Sequence, residues 1–200
     1  NTYALEGSIF IAGAAVQWLR DSLKIIKNAK ETENLYPKND PSQNVYLVPA
    51  FVGLGAPYWD GEARGALFGL TRNTGIPELV KATLDSVVYQ TKDLISAMEK
   101  DSGIKIKKIK VDGGMVSNNQ FVQFLSNLLM CVCLRPKISE TTSLGAAYLA
   151  GYQSGIIKKF TDINQKWKSE KKFVNKMNRK DIEKLYLGWQ KAIKGALKVK

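Results

Sequence analysis

The 200-residue sequence contains no histidine. That absence excludes every mechanism needing an imidazole from this chain: a Ser-His-Asp triad, a histidine-ligated metal or a histidine general base. Cysteine is nearly absent too, and two thiols make neither a disulfide framework nor a four-thiolate zinc site. No apolar run approaches the roughly 20 residues of a membrane-spanning helix. The opening NTYALEGS lacks the basic region and apolar core of a signal peptide. The expectation is a soluble, cytoplasmic chain with no membrane span. Its first residue is not methionine, which points to a segment of something longer. Acidic residues are the other shortage, 18 against 30 Lys+Arg, for a net charge of +12. With 44% hydrophobic residues, the chain still has enough apolar material for one sizeable core.

The basic surplus is localised. Residues 1–150 carry 16 basic and 14 acidic side chains, whereas residues 151–200 carry 14 and 4. The surplus thus belongs to the last quarter of the chain and speaks to partners and solubility rather than fold.

Periodicity organises the rest. Residues 3–11 are β-prone and apolar and run into Ala12-Gly13. A helical pattern follows, with Val16, Leu19, Leu23 and Ile26 on one face. Residues 28–44 read as a polar surface loop. VYLVPAF (45–51) reads as a short strand, and a glycine- and aromatic-rich loop leads to strand-like ALFGLT. Pro77 stands where a helix can begin and Gly103 where it can end, with Val80, Leu84, Val87, Thr91, Leu94 and Met98 between them at helical spacing. IKIKKIKV (104–111) alternates as a half-buried strand. Asp112-Gly113-Gly114 turns into a helix carrying Phe121, Phe124, Leu125, Leu128 and Leu129. The strand CVCL then leads to the helix SLGAAYLAG. Near the C-terminus an amphipathic helix presents Ile182, Leu185, Tyr186, Trp189, Ile193 and Leu197, with Asn178 as its N-cap. This order predicts an α/β domain with helices covering a sheet.

Three glycine-bearing turns are expected to join strand to helix at one sheet edge: at Gly13, at Gly113-Gly114 and at Gly145. Unpaired N–H groups and a helix's positive end at such an edge accommodate phosphate. Taken singly each is a tight turn; together they suit a nucleotide touched by several loops. Cys131 and Cys133 read as small core residues. Tyr58-Trp59-Asp60 reads equally well as an aromatic lid or an interaction surface. Asp85 and Asp93 are expected on the exposed face of their helix, and Asp112 as a turn cap.

The segments ALEGSIFIAGAAVQWLRD, VYLVPAFVGLGAPYWDGEARGALFGLTR, KATLDSVVYQTKDL, KVDGGMVSNNQFVQFLSNLL and RPKISETTSLGAAYLAG resemble, in order, the C-terminal domain of the FGGY carbohydrate kinases. GALFGLTRNTGIPELVKATLD fits the second signature of that family. YALEG, AGAxVQWLRD and APYWD resemble its glycerol-phosphorylating members more than its pentulose or gluconate kinases. The resemblance implies an actin-like ATPase (ribonuclease H-like) α/β fold, here the C-terminal half of a two-domain kinase lacking its first strands. It assigns residues 1–155 to a nucleotide-binding domain and 156–200 to a basic extension whose amphipathic helix packs on that domain. It implies ATP-dependent phosphorylation of glycerol to glycerol 3-phosphate with ATP/ADP and Mg²⁺, and it carries nucleotide contacts onto Gly13, Gln17, Gly114 and Asn118. No catalytic or metal-binding residue carries over, because the family's catalytic base and most of its acceptor site lie upstream. The implied partners are glycerol, the missing N-terminal domain and, at full length, a homodimer or higher homo-oligomer. Two other readings remain at this point: a different FGGY sugar kinase, and a basic nucleic-acid-binding module. Lys180, Lys184, Lys191 and Lys198, on the polar face of the last helix, read as solvated rather than nucleic-acid-binding.

Overall fold

The computed structural model describes residues 3–37, 45–138, 140–159, 161–162 and 167–199. Two small sheets share one core. In the first, β1 (Tyr46–Val48) pairs antiparallel with β2 (Ala66–Phe68). In the second, β3 (Lys108–Lys110) runs parallel to β4 (Val132–Pro136), and β5 (Ser169–Phe173) lies antiparallel on the other side of β4. Parallel neighbours need a crossover, and α4 (Asn119–Leu129) supplies it.

The central element is α3 (Ile76–Ser102), which packs against α4 and β1. Its ends follow the local chemistry. Glu78 accepts from the Gly75 amide at 2.8 Å, Pro77 sits in the first turn, and Gly103 closes the helix at φ 70. The apolar stripe read from the sequence is buried at Val80, Leu84 and Val87, but burial is not confined to it. Every residue from 82 to 90 is buried, Asp85 included at 3% exposure, and so is Asp93 at 5%. The expected exposed face is therefore absent there, because α3 is surrounded by α1 (Gly13–Asp21), α2 (Glu31–Leu35), α4 and β1.

The last helix, α6 (Arg179–Ala196), begins where the sequence places it. Asn178 accepts from the Asp181 amide at 2.9 Å. Ile182, Trp189 and Ile193 are buried, while Lys180, Lys184, Lys191 and Lys198 are exposed. Trp189 stacks on Tyr89 with ring centres 5.2 Å apart. Gly188 lets α6 lie directly on β1, since a Cβ there would overlap the Tyr46 side chain.

Three further expectations change. Residues 3–11 form no strand and pair with neither sheet; the Gln90 amide does hold the Ile11 carbonyl, at 3.2 Å. The polar stretch 28–44 contains α2, and its residues 38–44 lie outside the described residues. Finally, β5 arises in a lysine-rich segment with no sequence-level strand signal. It forms because β4 offers it an open edge, where Cys133 pairs with Phe173 and Leu134 with Lys172.

Candidate functional site

The turn after β3 leaves the sheet at the C-terminal end of the strand. Gly113 takes φ 87, a conformation that side chains resist, and directs the chain into a 3₁₀ turn, Gly114–Ser117. The α-helix starts only at Asn119, so Gly114 lies in this turn and not at an α-helical N-terminus. A Cβ placed on Gly114 would meet nothing within 4 Å, and the same holds at Gly13. Both backbones thus face open space that a ligand can approach. Gly13 opens α1, whose first-turn amides have no side-chain cap, and Gln17 stands exposed one turn further on. These features fit an anionic group on a helix N-terminus with an amide donor beside it.

Asn118 has a different position. It is 7% exposed, its Oδ1 accepts from the Phe121 amide at 3.1 Å, and its Nδ2 donates to Thr32 Oγ1 at 3.1 Å. Its side chain therefore caps α4 and ties that cap to α2. Next to it, Glu33 Oε1 accepts from both the backbone amide and Nδ2 of Asn119, at 3.1 and 2.8 Å. Sequence reading passed over Thr32 and Glu33, whose only local signal was polarity in a presumed loop. Gly145 is also not where it was expected. It lies inside α5 (Thr141–Gln153), one turn beyond the start, so it is no strand-to-helix turn.

The Tyr58-Trp59-Asp60 segment divides its roles. Tyr58 turns inward, and its hydroxyl donates to Asp93 Oδ2 at 2.8 Å. Trp59 points outward, 73% exposed, at φ 50. Asp60 Oδ1 accepts from the amides of Glu62 and Ala63 and closes the loop. Asp93 collects three donors in all, with Tyr186 Oη on Oδ1 and Trp189 Nε1 on Oδ2 at 2.7 Å. Burial raises its carboxyl above the ordinary value, and the three hydrogen bonds oppose that rise without reversing it. Asp85 is raised for the same first reason, against the opposing Lys81 ammonium and the Tyr36 hydroxyl, which donates at 2.7 Å. Both carboxylates are committed to internal partners, as anchors between elements and not as groups facing a substrate.

Cys131 and Cys133 are buried free thiols, as their spacing predicts. The neighbouring Cys131 thiol, together with burial, pushes the Cys133 thiol up. Cys131 lines a pocket of about 410 Å³ between the end of α3 and the start of β4, away from the glycine turn. Among the described residues no group of three or more acidic, cysteine or histidine side chains is arranged to hold a metal, and no helix is long and apolar enough to cross a membrane.

Known proteins agree with this architecture. A glycerol kinase from Geobacillus sp. (strain WCH70) is 54% identical over 198 residues, which is 99% of this chain and 40% of that protein. The crystal structure of Plasmodium falciparum glycerol kinase with ADP superposes with a TM-score of 0.85 at 34% identity, covering 96% of this chain and 38% of that one. A ligand-bound xylulose kinase from Lactobacillus acidophilus superposes at 0.76 with 25% identity, over 96% of this chain and 39% of that one. The chain thus spans about two-fifths of the length of the relatives it matches. Residues 1–154 match the C-terminal domain of the FGGY carbohydrate kinases, and together with the actin-like fold of the structural neighbours this makes the chain a member of the FGGY family.

Proposed function

We propose that this chain is the nucleotide-binding half of an ATP-dependent glycerol kinase. The observation that carries the acceptor is identity: 54% to a glycerol kinase over nearly the whole chain and, among solved structures, 34% to a glycerol kinase against 25% to a xylulose kinase of the same fold. The geometry supports the nucleotide side, because Gly13 and Gly114 both border open space and Gln17 is exposed beside the first of them.

In this reading the amides at Gly13 and Gly114 and the Gln17 side chain receive ATP or ADP. Asn118 shapes the Gly114 turn and has one N–H and one lone pair left for the ligand. Magnesium, when bound with the nucleotide, neutralises charge on the transferring phosphoryl group. None of the chain's residues is assigned to hold the metal. Nor is any assigned as the base that deprotonates glycerol, since Asp85 and Asp93 are internally satisfied. Phosphoryl transfer needs groups from both sides of a closing cleft, so an N-terminal domain is a required partner. A homo-oligomer of the full-length protein belongs to the same proposal. Residues 156–200 we read as an extension of this half, because β5 completes the second sheet and α6 covers β1.

Calorimetric titration tests the reading. The chain should bind ADP, yet form no glycerol 3-phosphate from ATP, Mg²⁺ and glycerol. Failure to bind ADP would remove the nucleotide role, and turnover by the isolated chain would remove the claim that the base lies elsewhere. A full-length protein preferring a pentulose or gluconate over glycerol would overturn the acceptor.

A further inference from the structure

Arg135, on β4, is a buried arginine (9% exposed) that belongs to no residue set named so far. Its Nη1 donates to the carbonyls of Val116 and Ser117, at 2.9 and 3.2 Å, and its Nε donates to Glu170 Oε2 on β5 at 2.9 Å. The Phe173 ring lies 5.6 Å from the guanidinium carbon.

Those two carbonyls are where the 3₁₀ turn gives way to α4. Of the downstream amides, that of Asn119 is engaged by Glu33 and that of Phe121 by Asn118 Oδ1. A buried carbonyl without a donor is costly, and a charged donor is among the stronger remedies. The turn is thus held on one side by α2, through Thr32 and Glu33, and on the other by Arg135. Lys171, also on β5, adds a bond to Asn119 Oδ1 at 2.7 Å.

We propose that Arg135, oriented by Glu170, is the positioning residue of the nucleotide turn. It fixes residues 114–118 in the shape that presents Gly114 to ADP, and through it the basic C-terminal segment takes part in nucleotide binding. The inference rests on the nucleotide reading above, and its test separates the two.

ADP titration and amide hydrogen exchange would be measured on the wild-type chain and on Arg135→Met, Arg135→Lys and Glu170→Gln. Loss of the charge-assisted bonds should weaken ADP binding by about tenfold or more in Arg135→Met. Lysine can serve one carbonyl but not Glu170 as well, so Arg135→Lys should fall between that variant and wild type. Glu170→Gln should show a smaller loss, because the bonds to the turn survive. Exchange at 114–118 should quicken in the same order, while the α6 amides keep their protection. Unchanged ADP affinity and unchanged exchange in the arginine variants would overturn the proposal. If Arg135→Met does not fold, Arg135→Lys and Glu170→Gln decide it by the same criteria. If the wild type binds no ADP, the nucleotide reading fails, and exchange at 114–118 alone decides whether Arg135 holds the turn.

Discussion

Trp189, near the end of the chain, donates its indole N–H to Asp93 in the middle of α3 at 2.7 Å, across 96 residues of sequence. Tyr58 and Tyr186 donate to the same carboxylate, so one side chain joins the glycine-rich loop, the central helix and the last helix. Removing it should be severe. Asp93→Ala leaves the buried Trp189 N–H and two partly buried tyrosine hydroxyls without their acceptor and should cost about 2–4 kcal/mol. Asp93→Asn keeps one acceptor oxygen and should cost about 1–2 kcal/mol, because a tyrosine hydroxyl can turn to accept from the new amide. Urea unfolding followed by tryptophan fluorescence measures both, and equal losses would mean that the acceptor chemistry is not what Asp93 contributes.

The raised carboxyls of Asp85 and Asp93 make a pH prediction whose sign is the reverse of the usual one. Burial lifts their folded-state values above the unfolded value of about 3.9. The native state therefore retains protons that the unfolded chain has released, and these groups favour folding less as pH rises through that window. Glu99 acts oppositely. Lys105 and the Ile106 amide hold it low, so its contribution is lost as pH falls through its folded value. Asp93→Asn has no such proton to lose. Its stability relative to wild type should therefore improve as pH rises from about 3.9 through the folded-state value of Asp93, and level off above it. A constant difference across that range would refute the assignment.

Helix ends and the apolar stripes were readable from sequence, because Pro77, Gly103 and Asn178 act within one turn of themselves. So was the glycine turn at 113–114. Asp85 and Asp93 were misread because periodicity records one buried stripe and gives no sign that a helix is enclosed on several sides. Their partners Tyr36, Tyr58, Tyr186 and Trp189 are distant in sequence. β5 was missed for a related reason: SEKKF has little strand character of its own and pairs because β4 presents an edge. Gly13, Gln17, Gly114 and Asn118 came from resemblance and carry no packing information of their own. That Asn118 is occupied by Thr32 and Phe121 needed the three-dimensional packing.

Two glycines in helices should respond oppositely to alanine. In an open helix the change gains up to about 1 kcal/mol. Gly145 on α5 has nothing within 4 Å of a new Cβ, so Gly145→Ala should stabilise. Gly188 on α6 faces the Tyr46 ring, which is held by its hydroxyl bond to the Leu185 carbonyl at 3.1 Å and by the neighbouring Tyr89. Overpacking there should outweigh the propensity gain and destabilise by about 1–2 kcal/mol net. Thermal unfolding of both variants distinguishes the cases, and a stabilised Gly188→Ala would show that α6 does not press on β1 as described.

Gly114 separates binding from folding. Its backbone is not in the left-handed region, and a Cβ would project into open space, so Gly114→Ala should change stability by no more than about 0.5 kcal/mol. The same methyl group would stand where the ligand's closest approach is proposed, and ADP affinity should drop by about fivefold or more. Gly113, at φ 87, is the contrasting neighbour. Alanine there strains the turn itself, so both stability and affinity should fall. Paired calorimetric titrations and melting curves test this, and a Gly114→Ala variant that binds ADP as the wild type does would place the nucleotide away from this turn.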